Sequence, residues 1–94
     1  MKIVWTELAL GHLRAAYDYI AVDNAPAADA TIEKIISTAE YLSRYPRLGH
    51  VGRLENTREL SVPGLPYIVV YRLQPKALEM LAVFHAARKW PDQL

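Results

Sequence analysis

Cysteine is absent from the 94 residues, which excludes disulfides and any thiolate-bound metal. The absence also fits a reducing compartment such as the cytoplasm. Glycine is scarce, at four residues, and no glycine-rich loop of the phosphate-cradling kind occurs. There is no nucleophile elbow and no paired-histidine metal signature. The three histidines, His12, His50 and His85, lack ligand spacing, so neither a metal nor another cofactor is expected. No apolar run approaches the roughly 18 residues of a membrane span. The opening Met1-Lys2-Ile3-Val4-Trp5-Thr6-Glu7 meets an acid too early for a signal peptide. A cytoplasmic chain with no membrane partner is expected.

What is present suits one globular domain, residues 1–94, with 52% hydrophobic and 22% charged residues; disorder would need fewer apolar residues and more net charge. The net charge of +1 hides an asymmetry. Residues 1–43 hold three bases against six acids, a balance of −3, and residues 44–94 hold eight bases against four acids, a balance of +4. A basic half can steer a domain toward an acidic partner or a phosphate backbone. Alternatively, the helices simply hold the acids and the strands the bases.

Lys2-Ile3-Val4-Trp5 is short, β-branched and aromatic, the language of a strand. Thr6 suits an N-cap, with Glu7 in the first turn where the helix dipole favours an acid. Ala9, Leu13, Ala16, Tyr17 and Ile20 then recur on one helical face. Asp23-Asn24-Ala25-Pro26 ends that helix, and Pro26 suits the first turn of another. Ala28, Ile32, Ile35, Ala39 and Leu42 form the second stripe, widened by Ile36. This helix stops near Tyr45, because a residue before proline disfavours the helical conformation. Two such helices form an antiparallel hairpin.

Residues 46–57 show no period and read as a loop. Arg58 to Val62 alternates, Pro63-Gly64-Leu65-Pro66 is a turn cluster, and Tyr67 to Leu73 is rich in β-branched and aromatic residues. After Gln74-Pro75-Lys76, Leu78 to Phe84 is a nearly continuous apolar run. The expected fold is α+β, in the order β-α-α-β-β-β. Its helical hairpin covers a three- to four-stranded antiparallel sheet.

His85 ends the last strand, directly before Arg88, Lys89 and Trp90. Unbroken alternation puts it on one face with Leu81 and Val83, with Arg72 on the neighbouring strand and Arg58 opening the one before. A histidine near guanidinium groups at a sheet rim can hold phosphate and act as general acid or base on RNA. The plainer reading is a half-buried histidine flanked by solvated cations. His12 falls beside the first apolar stripe, as a boundary residue. Trp90 either folds back on its own core, the favoured outcome, or joins Arg88 and Lys89 in binding a partner.

Four pieces in order along nearly the whole chain resemble the RelE/ParE toxin superfamily. They are Ile3-Val4-Trp5-Thr6, Tyr45-Pro46-Arg47-Leu48-Gly49, the long stretch from Arg58 through Val62-Pro63-Gly64 to Arg72, and Val83-Phe84-His85-Ala86-Ala87-Arg88-Lys89-Trp90-Pro91. The resemblance implies a helical hairpin on an antiparallel sheet. It also implies a cognate antitoxin, a segment of which wraps the toxin and orders on binding. Two actions are open. ParE-like members poison DNA gyrase by binding, with no chemistry of their own, and the closing run favours this branch. RelE-like members cut mRNA at the ribosome, and the matching positions here are Arg58, Arg72, His85 and Arg88. Two departures weaken that alternative: Pro66-Tyr67 stands where such enzymes often carry an arginine, and Ala86 where an aromatic often follows the histidine. Metal-free RNA cleavage needs one group to take the 2′-hydroxyl proton and others to stabilise the phosphorane, and here that set is thin.

Overall fold

The computed structural model describes residues 1–88 together with Trp90 and Leu94; Lys89, singled out above, lies outside the described residues. Strand β1 (Lys2–Trp5) leads into helices α1 (Glu7–Ala21) and α2 (Ala25–Arg44). Four strands follow: β2 (His50–Val51), β3 (Arg58–Ser61), β4 (Tyr67–Gln74) and β5 (Ala77–His85). Each helix begins where a side chain satisfies a free amide. Thr6 Oγ1 accepts from the Ala9 amide at 3.1 Å, and Asn24 Oδ1 accepts from Ala27 at 3.0 Å. Pro26 occupies the first turn of α2.

The five strands are ordered β1-β5-β4-β3-β2. The meander β3-β4-β5 is antiparallel as expected. Two features were not read from the sequence. The first is β1, which pairs parallel with β5 and makes the sheet mixed; the helical hairpin supplies the long crossover that parallel pairing needs. The second is β2, two residues inside the stretch read as loop, paired with β3. A pair so short leaves no periodicity to detect.

One face of the sheet carries the hairpin. Ala9, Leu13 and Ala16 of α1 and Ile35, Ala39 and Leu42 of α2 pack on Val69, Tyr71, Leu78, Met80 and Val83. Full burial of residues such as Ile35, Leu42 and Leu78 contributes roughly 1.5–3 kcal/mol each. The α2 stripe holds at Ala28, Ile35, Ala39 and Leu42, with Ile32 packed against the core, but it widens on the side away from Ile36. Thr31 and Thr38 are buried while Ile36 is exposed. Burial of these hydroxyls costs little because each bonds the carbonyl one turn back, Ala27 and Lys34 respectively, at 2.8 Å.

A β-bulge interrupts β5. Val70 pairs with Ala82 but Tyr71 with Met80, so Leu81 is the extra residue. The alternation inverts there: Met80 and Val83 belong to the helix-side core, whereas Leu81, Ala82 and Phe84 join a second cluster on the other face. His85 therefore shares a face with Val83 but not with Leu81. Past the bulge β5 has outrun β1, and α1 closes its edge instead. Thr6 Oγ1 donates to the Leu81 carbonyl at 3.2 Å, and His12 Nδ1 accepts from the Val83 amide at 3.1 Å.

Candidate functional site

The residues named from the sequence fall into three places. Arg58 and Arg72 line one open hollow of about 620 Å³, together with Arg47 and Asn56, beside the end of β4. Each guanidinium already serves the fold. Arg58 Nη1 donates to the Gly49 carbonyl at 2.6 Å and more weakly to Arg47 O at 3.4 Å. Arg72 donates to Glu79 Oε1 from Nη2 at 2.7 Å and from Nε at 3.1 Å. That hydrogen bond holds the Glu79 carboxyl below its ordinary pKa, against the opposing effect of desolvation. Both side chains keep solvent contact, so the pair stabilises the fold by about 1 kcal/mol or less.

The hollow is fixed in place by Tyr71, which is fully buried on β4. Its hydroxyl accepts from the Gly49 amide at 2.9 Å and donates to Pro46 O at 2.7 Å, tying the segment after α2 to the sheet. Only glycine fits at position 49, since a Cβ there would lie 2.5 Å from the Tyr71 hydroxyl and 2.8 Å from Glu59 O. Burial raises the Tyr71 pKa, partly offset by the Gly49 hydrogen bond and the Arg58 charge.

His85 stands at the opposite end of the sheet. It pairs with Tyr67 at the start of β4, the rings edge to face with centroids 5.4 Å apart. Its Nδ1 accepts from the Ala87 amide at 3.1 Å. Tyr67 and Arg72 lie five residues apart on one strand, about 16 Å, and their side chains face opposite ways. Arg88 is near His85, donating its amide to the His85 carbonyl at 3.0 Å. Its guanidinium, however, lies 4.7 Å from the centre of the Tyr19 ring on α1. The structure thus joins Arg58 with Arg72, and His85 with Arg88, but does not bring the two pairs together.

Trp90 occupies the third place, against the second face of the sheet. Its ring meets Phe84 edge to face at 5.2 Å, and the Arg53 guanidinium lies 4.1 Å from its centre. Arg53 is positioned in turn by buried Glu59, whose Oε2 accepts the Arg53 amide at 2.9 Å. Sequence reading passed over Arg53, because a loop without period gives no hint of a cation beneath a tail tryptophan. It also gave no role to the exposed Tyr41, Tyr45 and Leu48, although the last two lie within the Tyr45–Gly49 stretch that resembles the toxin superfamily. Among the described residues, no group of three histidines or acids is placed to hold a metal, and no helix is long and apolar enough to cross a membrane.

A helical hairpin on one face of a mixed five-stranded sheet is the architecture of the RelE/ParE toxins. The chain superposes on a chain of the chromosomal ParDE toxin–antitoxin system from P. aeruginosa with a TM-score of 0.82, at 23% identity, covering 90% of this chain and 95% of that one. It matches a chain of the intact E. coli RelBE toxin–antitoxin complex with a TM-score of 0.60 at 14% identity, covering 93% and 98%. In sequence it is 38% identical over 93 residues to Y4kP of Sinorhizobium fredii, a protein provisionally described as a toxin, covering 99% of this chain and 96% of that one. It is 30% identical over 87 residues to Toxin RelE2 of Caulobacter vibrioides, covering 93% and 97%. Residues 3–90 match the family described as the ParE toxin of the type II toxin–antitoxin system parDE. The chain belongs to the ParE toxin family.

Proposed function

We propose that this toxin arrests growth by binding DNA gyrase, without chemistry of its own, and that a cognate antitoxin neutralises it. The observation that carries this reading is the separation of His85 from Arg58 and Arg72. A metal-free ribonuclease needs a proton acceptor and charge stabilisers around one phosphate. Here the histidine pairs with Tyr67, about 16 Å along β4 from Arg72 and about 13 Å from Tyr71, the partner of Arg58, and both guanidinium groups are engaged by acceptors within the fold. The sequence resemblance to gyrase-poisoning ParE members supports the target, and structural relatives named as toxin–antitoxin systems support the antitoxin.

The test is a supercoiling assay with purified gyrase. The chain is expected to stall supercoiling or trap cleaved DNA, and His85→Ala is expected to leave that inhibition unchanged. Unimpaired supercoiling at a large molar excess would sink the proposal. A translating extract serves as the counter-assay for the alternative, an mRNA endoribonuclease acting at the ribosome through His85, Arg58, Arg72 and Arg88. Transcripts are expected to stay intact; cleavage that disappears in His85→Ala would transfer the assignment to the ribosome.

A further inference from the structure

The hollow beside the end of β4 is lined by three guanidinium groups, those of Arg47, Arg58 and Arg72, and by no carboxylate. Two of the three are held in place by the fold and still keep donors to spare. Arg58 gives Nη1 to the Gly49 and Arg47 carbonyls, which leaves Nε and Nη2. Arg72 gives its Nε and Nη2 edge to one oxygen of Glu79, its cross-strand neighbour on β5, which leaves Nη1. Arg47 is exposed, and among the described residues its side chain has no hydrogen-bond or ion-pair partner. The Glu79 carboxylate therefore faces three cations, and it lies outside the lining. Planar forks already in position lose little freedom on taking up an oxyanion.

The rest of the lining decides which oxyanion fits. The space, about 620 Å³, is far larger than one phosphate or carboxylate group needs. Val51 and Leu73, 77% and 37% exposed, supply apolar edges, and Asn56 and Gln74 supply neutral amides. That mixture suits a phosphodiester together with the sugars on either side of it. A single carboxylate engages one fork and leaves the other cations unmatched, whereas a nucleic-acid strand brings a charge at every step. No histidine lines the hollow either, so it has no proton acceptor and binds without cutting.

We propose that this hollow grips a DNA backbone phosphate through Arg47, Arg58 and Arg72. The choice of DNA rests on the gyrase reading and deepens it, since the DNA that gyrase carries lies within reach of a toxin bound there. Phosphate contacts carry no sequence information, so any duplex sequence is expected to serve.

The test titrates the full chain into a fluorescently labelled duplex of about 20 base pairs and follows anisotropy at several salt concentrations. Binding with a Kd of roughly 10⁻⁴–10⁻⁶ M is expected, weakening steeply as salt rises. Arg47→Gln is expected to weaken it several-fold and to reduce the log–log salt slope by about one. Lys34→Gln removes the same charge from the middle of α2, outside the hollow, and is expected to change neither. Both side chains are exposed, so circular dichroism should show unchanged folding. In NMR spectra of the same titration, the side-chain amide signals of Asn56 and Gln74 are expected to shift. No binding at low salt, equal losses in the two variants, or shifts confined to other residues would each overturn the proposal. So would tighter binding of an RNA duplex of the same length, or displacement of the DNA by polyglutamate at matched charge. The supercoiling assay scores the gyrase reading separately. Inhibition by a chain that binds no DNA keeps gyrase and loses the hollow; DNA binding that Arg47→Gln weakens, without inhibition by the wild type, keeps the hollow and loses gyrase.

Discussion

The helix-covered face of the sheet and the face beneath Trp90 and Leu94 bury similar residues by different means. On the first, two regular helices lay down a continuous core that reaches from Ala9 to Val83. On the second, Val70, Ala82 and Phe84 are covered by Trp90 and Leu94, with Arg53 against the tryptophan ring. Helices satisfy their backbone hydrogen bonds internally, so the first cover is supplied by two regular elements. The second depends on the side chains of Trp90, Leu94 and Arg53. Strength of cover follows from the element that supplies it, and not from the apolarity of the strand beneath.

The largest effect is expected where the first face is cut. Tyr71→Ala removes a fully buried ring and leaves Gly49 N and Pro46 O without their partner. A loss of about 3–5 kcal/mol is expected in urea unfolding. Trp90→Ala on the second face should cost less, about 1–3 kcal/mol, read in the same denaturation series. A larger loss for Trp90→Ala than for Tyr71→Ala would break the comparison.

Two pH effects sharpen it further. Burial, which disfavours the charged ring, lowers the His12 pKa below its ordinary 6.5. The unfolded chain therefore takes up this proton first as the solution is acidified. Stability from His12 is fully present above about pH 6.5 and declines as pH falls below that value toward the folded pKa. His12→Gln should flatten this part of a stability–pH curve measured by thermal melting. The smallest effect belongs to Glu79, whose folded pKa is depressed by Arg72. Its contribution is present above the ordinary 4.5 and is lost as pH falls through the folded value. Arg72→Gln should remove it, costing about 1 kcal/mol or less near neutral pH.

Much of the architecture was legible in the sequence. The strand at Lys2–Trp5, the Thr6 cap, the paired helices and the meander from Arg58 onward are each carried by local periodicity or local turn chemistry. The α2 stripe was legible, but the side on which it widens was not, because threonine counts as polar in a pattern, yet in a helix its hydroxyl can bond the preceding turn and enter a core. The face of His85 was read half correctly, since a single extra residue at Leu81 inverts the alternation and leaves no mark in composition. Arg58, Arg72 and His85 were placed on the expected strands. Their distance from one another was not legible, because it depends on which ends of β4 and β5 meet.

The sequence by itself determined the two helices, the strands other than β2, their order and the excess of bases in its second half, because these follow from spacing, capping and residue type along the chain. Only the tertiary structure decided that β1 lies parallel to β5 and that two arginines share a hollow away from the histidine. Those facts depend on strand register and the bulge, which are set by long-range packing.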